Sequence, residues 1–415
     1  MRWLAGFFIT LFLTSCYTVP TQTTVAPIRE SEQPALALKI LDAYHGTNES
    51  APPQKLYLVY FTPTDREPVP GYEQRLDAIF EDVRAFYRNG MEQRGFGSKT
   101  FALERDAEGK LIIHVVKGKK DKAYYAKSWN DHYRIIGDEC QPMFQACGIS
   151  RETNTVAIIC NLADWDPDAH TFSHPAPYSG IWTRQSGLCW LMDSPILDMD
   201  DLLKKQPVVK DFQFGNVPLG KRNSMFIGSI AHELGHALGL PHSGEQWDEK
   251  ALGTSIMGMG NLKYHDELRG EDKGAFLNMA SAMRLAARPL FNSSSKGREH
   301  PAQLGECSVT LSTHVTRPDL AGRHGTLRVE GTVQGAPPIY GVIAYFDSVH
   351  DGGYRSPAAT SVPDEQGRFA IEVSDLARCT NGIVRVAFCH ANGGVSERQL
   401  KFRVTRDGKV AIASK

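Results

Sequence analysis

The chain has 415 residues, 41% hydrophobic and 22% charged, enough for two or three domains with sizeable cores. Its 46 Lys and Arg against 47 Asp and Glu leave a formal net charge of −1, so no global field favours nucleic acid and no nucleic-acid module is visible. Beyond the N-terminal apolar run, no stretch approaches the roughly 18 apolar residues that a spanning helix needs.

The chain opens Met1, Arg2, Trp3, runs through apolar residues to Leu13, and reaches Thr14, Ser15 and Cys16. One basic residue, a short apolar core and small residues before a cysteine describe a secretory signal over 1–15. The Leu-Thr-Ser-Cys ending resembles a bacterial lipobox, which implies lipidation of Cys16 and an exported, envelope-anchored protein. Tyr17 after that cysteine, rather than Asp, resembles outer-membrane sorting. Residues 16–54, rich in Thr, Pro, Ser, Glu and Ala, read as a flexible tether despite a short apolar run at 36–41.

Folded structure is expected from 55, where seven residues to 61 form a strand-like run. Leu76, Ile79, Phe80, Val83, Phe86 and Tyr87 then make a helical stripe over 71–94, with Gly95 as its stop. Segments 100–105 and 111–117 flank a turn at Asp106 to Gly109 and read as a hairpin or as a strand with a broad turn. Strands are also expected at 155–161 and within 180–192. Between them Asp164, Asp166, Asp168, His170 and His174 form a candidate site for a structural Ca2+ or Zn2+, although acidic loops of this kind are more often merely solvated.

The most specific signal lies at 232–242. His232 and His236 are four apart and project from one helical face, while Glu233 is rotated about 100° away. Gly239 permits a sharp turn that brings His242 back as a third nitrogen. Catalytic zinc takes three protein ligands and keeps a fourth position for water. The spacing therefore predicts zinc held by His232, His236 and His242, with Glu233 as general base. Apolar residues at 226, 227, 230, 231, 234 and 238 predict that the carrying helix, about 223–239, is half buried. A lone His-x-x-x-His pair is usually not a metal site. The added Gly and third His make coincidence improbable.

A helix with Phe276, Met279, Ala280 and Met283 on one face closes an α/β domain of 55–291. The polar stretch 292–305 marks a linker. Short strands at 326–333, 341–347, 368–373, 382–389 and 399–404 predict an all-β, Ig-like sandwich over 306–415. Seven cysteines follow Cys16, at 140, 147, 160, 189, 307, 379 and 389. Export permits disulfides, with Cys140–Cys147 the first candidate pair and Cys307 with Cys379 or Cys389 the next.

With Ser243 after the third histidine and Ser255-Ile256-Met257-Gly258 beyond it, the chain resembles the metzincin clan of zinc metallopeptidases, matrixin-type sequences most closely. The tight match covers about 30 residues, judged by motif specificity. The resemblance implies a zincin-type α/β domain with a twisted sheet, an active-site helix and a closing helix. It also implies a supporting Met-turn at Met257. Two departures stand out: Gly258 and Met259 occupy positions where related sequences carry Tyr and Pro, so the usual tyrosine is missing there.

Function is expected to be zinc-dependent endoproteolysis of extracellular or envelope proteins, with a glycan or envelope ligand on the C-terminal domain. The competing reading, from a different class, is an adhesion or glycan-binding surface lipoprotein whose zinc domain is inactive or self-processing. Presence of Glu233 weighs against it. A purely structural zinc is disfavoured because no fourth Cys or His lies at near spacing.

Overall fold

The computed structural model describes residues 26–46, 54–127, 132–175, 178–246, 248–314, 326–348, 353–373, 381–404 and 410–412. The signal segment 1–15, Cys16 and Cys379 lie outside them. No described helix is long and apolar enough to cross a membrane.

The first half is a mixed α/β unit built on a six-stranded sheet. Lys55–Thr62 and Thr155–Cys160 lie at its centre, with Gly187–Met192 parallel beside them. The last two of these strands are buried at every position, as continuous apolar runs in a covered parallel sheet should be. Ser179–Trp182 runs antiparallel on the edge. Segments Ala102–Leu103 and Ile113–Lys117 do not pair as a hairpin. Both add in parallel to Lys55–Thr62, one after the other, with a broad turn between them. Tyr72–Gln93 packs the expected stripe into the core.

The histidine-bearing helix, Leu219–Ala237, is buried along nearly all of its length against the sheet edge. Two glycines make that approach possible. A Cβ built on Gly180 would fall 2.2 Å from the Glu233 carbonyl oxygen, and one on Gly187 would fall 1.8 Å from that of Ala237. Only residues without side chains let these two strands lie this close to the helix.

The C-terminal half is β-rich. Gln303–His314, Thr326–Ala336 and Arg368–Val373 form one sheet, and five strands from Ile339–Ser348 to Val410–Ile412 form the other. Their inner faces share a core that includes Leu327, Val329, Ile371, Val342, Val384 and Phe388. The opposite face of the five-stranded sheet buries Tyr340, Ile343, Tyr345 and Ala387 in the same core as Met283 and the first half. Tyr340 donates to the Met283 carbonyl at 2.6 Å. The two halves are therefore joined by apolar packing, not strung on a loose connection.

Three sequence expectations are corrected. Residues 33–45, expected within a tether, form a helix with Pro34, Ala37 and Leu41 buried. The Gln33 amide exchanges hydrogen bonds with Thr360 at 3.0 and 2.6 Å. The polar composition that suggested flexibility belongs to the segment around this helix, whose own run from Pro34 to Leu41 is largely apolar. The expected linker 292–305 is docked as well: Asn392 holds the Gly297 and His300 carbonyls at 3.0 Å, and strand Gln303–His314 begins inside it.

The third correction concerns thiols. Cys140, Cys147, Cys307 and Cys389 are all free. Cys140 is buried on helix His132–Ala146, and Cys147 is exposed just past its end. Seven residues of helical rise separate them by about 10 Å, beyond the Cα span of a disulfide.

Candidate active site

The three histidines converge. Their ligand nitrogens lie within 4.8 Å of one another, and among the described residues no other group of His, Cys, Asp or Glu is placed to hold a metal. The Nδ1 of His232 donates to the Ile256 carbonyl at 2.7 Å, and that of His236 donates to the Leu240 carbonyl at 2.8 Å. These bonds fix the rings and turn the Nε2 lone pairs inward. The Nε2 atoms of His236 and His242 are 3.0 Å apart. Burial, with the neighbouring imidazoles, pushes His232 down to about 3 and His236 down to about 4, so both rings are neutral at pH 7. Neutral imidazoles at this spacing suit a tetrahedral divalent cation, whose nitrogen ligands sit at about 2.0–2.1 Å.

The helix ends because Gly239 takes φ 93°, a left-handed conformation unfavourable to other residues. Leu240 N–H then bonds the Gly235 carbonyl at 2.9 Å, and the chain swings His242 back towards the helix. Met257 is fully buried beneath, where a Cβ on Gly235 would lie 2.4 Å from its Sδ. Its carbonyl accepts from Ser243 N–H at 3.0 Å, which ties the turn after the third histidine to the Met257 turn. Met259, the rival candidate, is 38% exposed.

Glu233 faces a cavity of about 650 Å³ that also contacts His236 and His242. Burial pushes its carboxyl up to about 7, opposed by the Gly180 N–H. A carboxyl with this pKa exchanges a proton readily near neutrality. One wall is the edge strand Ser179–Trp182, with the Trp182 ring parallel to His236 at a centroid distance of 6.3 Å.

The opposite wall comes from the C-terminal half. Tyr354 lies with its ring centroid 3.7 Å from that of His242 and stacks against His232 at 6.0 Å. The ion pair Arg385–Asp347 stands at the rim. Backbone pairing positions this loop: Gly244 N–H donates to Ser356 at 2.7 Å, and a bridge links Gly244 with Pro357. Sequence reasoning missed these residues. They lie more than 100 positions from the motif, and only the loop position of Tyr354 between two strands hinted at a role. Tyr264, the tyrosine near the motif in sequence, is buried elsewhere and donates to Asp82 at 2.8 Å.

The 164–174 cluster does not assemble a metal site. Asp164 pairs with Arg66 and Lys122, and Asp166 accepts the N–H groups of Asp168 and Ala169 in a turn. His170 stacks on Trp165, and His174 sits among Phe172, Tyr178, Phe212 and Phe226. These side chains serve a small sheet and an aromatic nest.

No protein-family model matches the chain, and no curated protein matches it. Solved structures do. Wild-type OgpA from Akkermansia muciniphila superimposes with a TM-score of 0.68 in one crystal form and 0.66 in another. Catalytically inactive OgpA in complex with an O-glycopeptide substrate, glycodrosocin, superimposes with 0.69. In each case identity is 22%, and the match covers 88% of this chain and 96% of the other. The chain thus shares the fold of OgpA, both halves included.

Proposed function

We propose that this chain is a zinc-dependent endopeptidase that hydrolyses peptide bonds in O-glycosylated segments of extracellular or envelope proteins. One observation carries this reading: three imidazoles converge beside a half-buried carboxyl of raised pKa, and His236, His242 and Glu233 line one open cavity. The O-glycopeptide bound to inactive OgpA, whose fold the chain shares, supports the substrate class. A zinc ion held by His232, His236 and His242 would supply Lewis acidity and lower the pKa of coordinated water towards about 7.

The chain's own residues account for the rest. An extended peptide can lie along the open side of Ser179–Trp182, which is bonded to its neighbour on one side only. Glu233 takes the proton of the attacking water and hands it to the departing amine nitrogen. Met257 and the carbonyls of Ile256 and Leu240 hold the histidines in place. Trp182, Tyr354, Arg385 and Asp347 offer aromatic faces and charged hydrogen-bonding groups, the kind of surface that accommodates a polyhydroxylated substituent. Lipidation at Cys16 would hold this activity at the outer membrane.

The test is cleavage of matched peptides with and without O-linked sugar by the mature chain, with and without chelator. Metal-dependent cleavage of the glycosylated member alone supports the proposal. Zinc retained without cleavage of either member would favour the glycan-binding lipoprotein.

A further inference from the structure

Behind Trp182 lies a second cavity, of about 550 Å³, between the two halves of the chain. Its walls carry three guanidinium groups, Arg184, Arg284 and Arg288, against the single carboxylate of Glu397. Arg284 and Arg288 are only 5% and 3% exposed. Neither is fully satisfied. The Nη1 of Arg288 donates to the Thr183 carbonyl at 3.2 Å and to that of Arg184, but its Nε and Nη2 have no hydrogen-bond partner among the described residues. The Nη1 of Arg284 likewise has no hydrogen-bond partner among the described residues; Glu397 pairs with it at 3.7 Å as an ion pair, and the guanidinium shares a hydrogen bond with Tyr345. Arg184 donates to the carbonyls of Arg298 and His300.

Unmatched buried donors and charges are costly and are normally paired. Here the match is incomplete: Arg284 has one carboxylate, Glu397, at ion-pair distance, whereas Arg288 beside it has no carboxylate partner among the described residues. Two guanidiniums around one cavity suit a planar oxyanion that accepts forked hydrogen bonds. We propose that this cavity binds a carboxylate carried by the substrate.

The link to the substrate is Trp182, which lines both cavities. Its ring centroid is 6.3 Å from the His236 ring and 6.0 Å from the Arg284 guanidinium. The carboxylate site therefore lies no more than about 12 Å from the histidine cluster, within three or four residues of extended peptide at roughly 3.3–3.6 Å each. An acidic side chain near the cleaved bond, or an acidic sugar on a nearby residue, can reach it. This step rests on the peptidase reading for the nature of the substrate, whereas the anion site itself does not.

The experiment compares the mature wild-type chain with Arg284→Gln and Arg284→Lys, each checked by thermal melting. Substrates are O-glycopeptides with Glu or Gln at each position flanking the cleaved bond, and one peptide with and without a terminal acidic sugar. The expected wild-type result is about tenfold higher kcat/KM for one acidic member, the scale of a charge-assisted hydrogen bond. Arg284→Gln should abolish that preference and leave the neutral peptides unchanged, and Arg284→Lys should restore part of it. Whether the peptide or the sugar carries the effect identifies the source. Equal rates for acidic and neutral members, or a preference that survives Arg284→Gln, would overturn the site. Binding of the same peptides to Glu233→Gln, measured by calorimetry, separates the two readings. Charge-dependent binding lost with Arg284, when the wild-type chain cleaves none of the peptides, would sustain the site and reject the peptidase.

Discussion

Tyr354 packs its ring against His242, centroids 3.7 Å apart and planes tilted by 30°, although the two residues belong to different halves of the chain. His242 is the histidine furthest from the helix, carried on a turn and not on a rigid element. The tyrosine supplies, from the β-rich half, the wall that a helix supplies to His232 and His236. The two halves are therefore needed together to complete the site.

Removal of this wall should loosen the third nitrogen. Tyr354→Ala is expected to weaken zinc binding about 10-fold or more, the scale seen when outer-shell partners of metal ligands are lost. Tyr354→Phe keeps the ring and should keep the affinity. Competition with a chromophoric chelator reads both. If Tyr354→Ala held zinc as tightly as the wild type, the packing would be incidental.

The first helix should matter to stability. Leu41 is 2% exposed in the shared core, so Leu41→Ala should cost ~2–5 kcal/mol, the range for buried Leu to Ala changes. A flexible tether would give no change in the urea midpoint.

Close backbone contact should make Gly187 intolerant. Its built Cβ lies 1.8 Å from the Ala237 carbonyl oxygen, where nothing flexible can yield. Gly187→Ala should destabilise by ~1–3 kcal/mol or more, through the overpacking that forces backbone shifts. Thermal melting that matched the wild type would show that helix and strand have slack at this point.

Acid sensitivity should trace partly to His174. Burial pushes it down to about 4, with neither ring nitrogen hydrogen-bonded to any described residue. A histidine with a depressed folded pKa contributes stability that is present above its unfolded value near 6.5 and lost as pH falls through about 4. The full effect is on the order of 3 kcal/mol. His174→Phe should flatten the stability profile between those pH values, measured by denaturation at each pH. An unchanged slope would place the acid-sensitive group elsewhere.

Much of the architecture was legible because local patterns agreed with burial. The stripe of Leu76, Ile79, Phe80 and Val83 faces the core as its spacing required. The three histidines meet because a four-residue helical spacing and a glycine turn leave little choice of geometry. Local patterns could not reveal long-range packing. The helix at 33–45 was hidden because its apolar residues are spread around it, with Ala37 and Leu41 buried but Leu36 exposed, so no clear stripe stands out within a polar segment. Tyr354 and the Arg284–Arg288 pair reach their places through packing between the two halves of the chain, which no spacing rule encodes. The acidic cluster at 164–174 misled because charge composition cannot tell a ligand shell from ion pairs with Arg66 and Lys122.

The most direct measurement combines metal content and turnover in one pair of proteins. Wild type and Glu233→Ala are purified with zinc, assayed for bound metal, and given an O-glycosylated peptide whose fragments are read by mass spectrometry. The expected result is one zinc per chain in both, with cleavage reduced about 100- to 10,000-fold or more in the variant, the range for loss of a general base. Equal cleavage by the two proteins, or a wild type active without metal, would contradict the assignment of Glu233 and the three histidines.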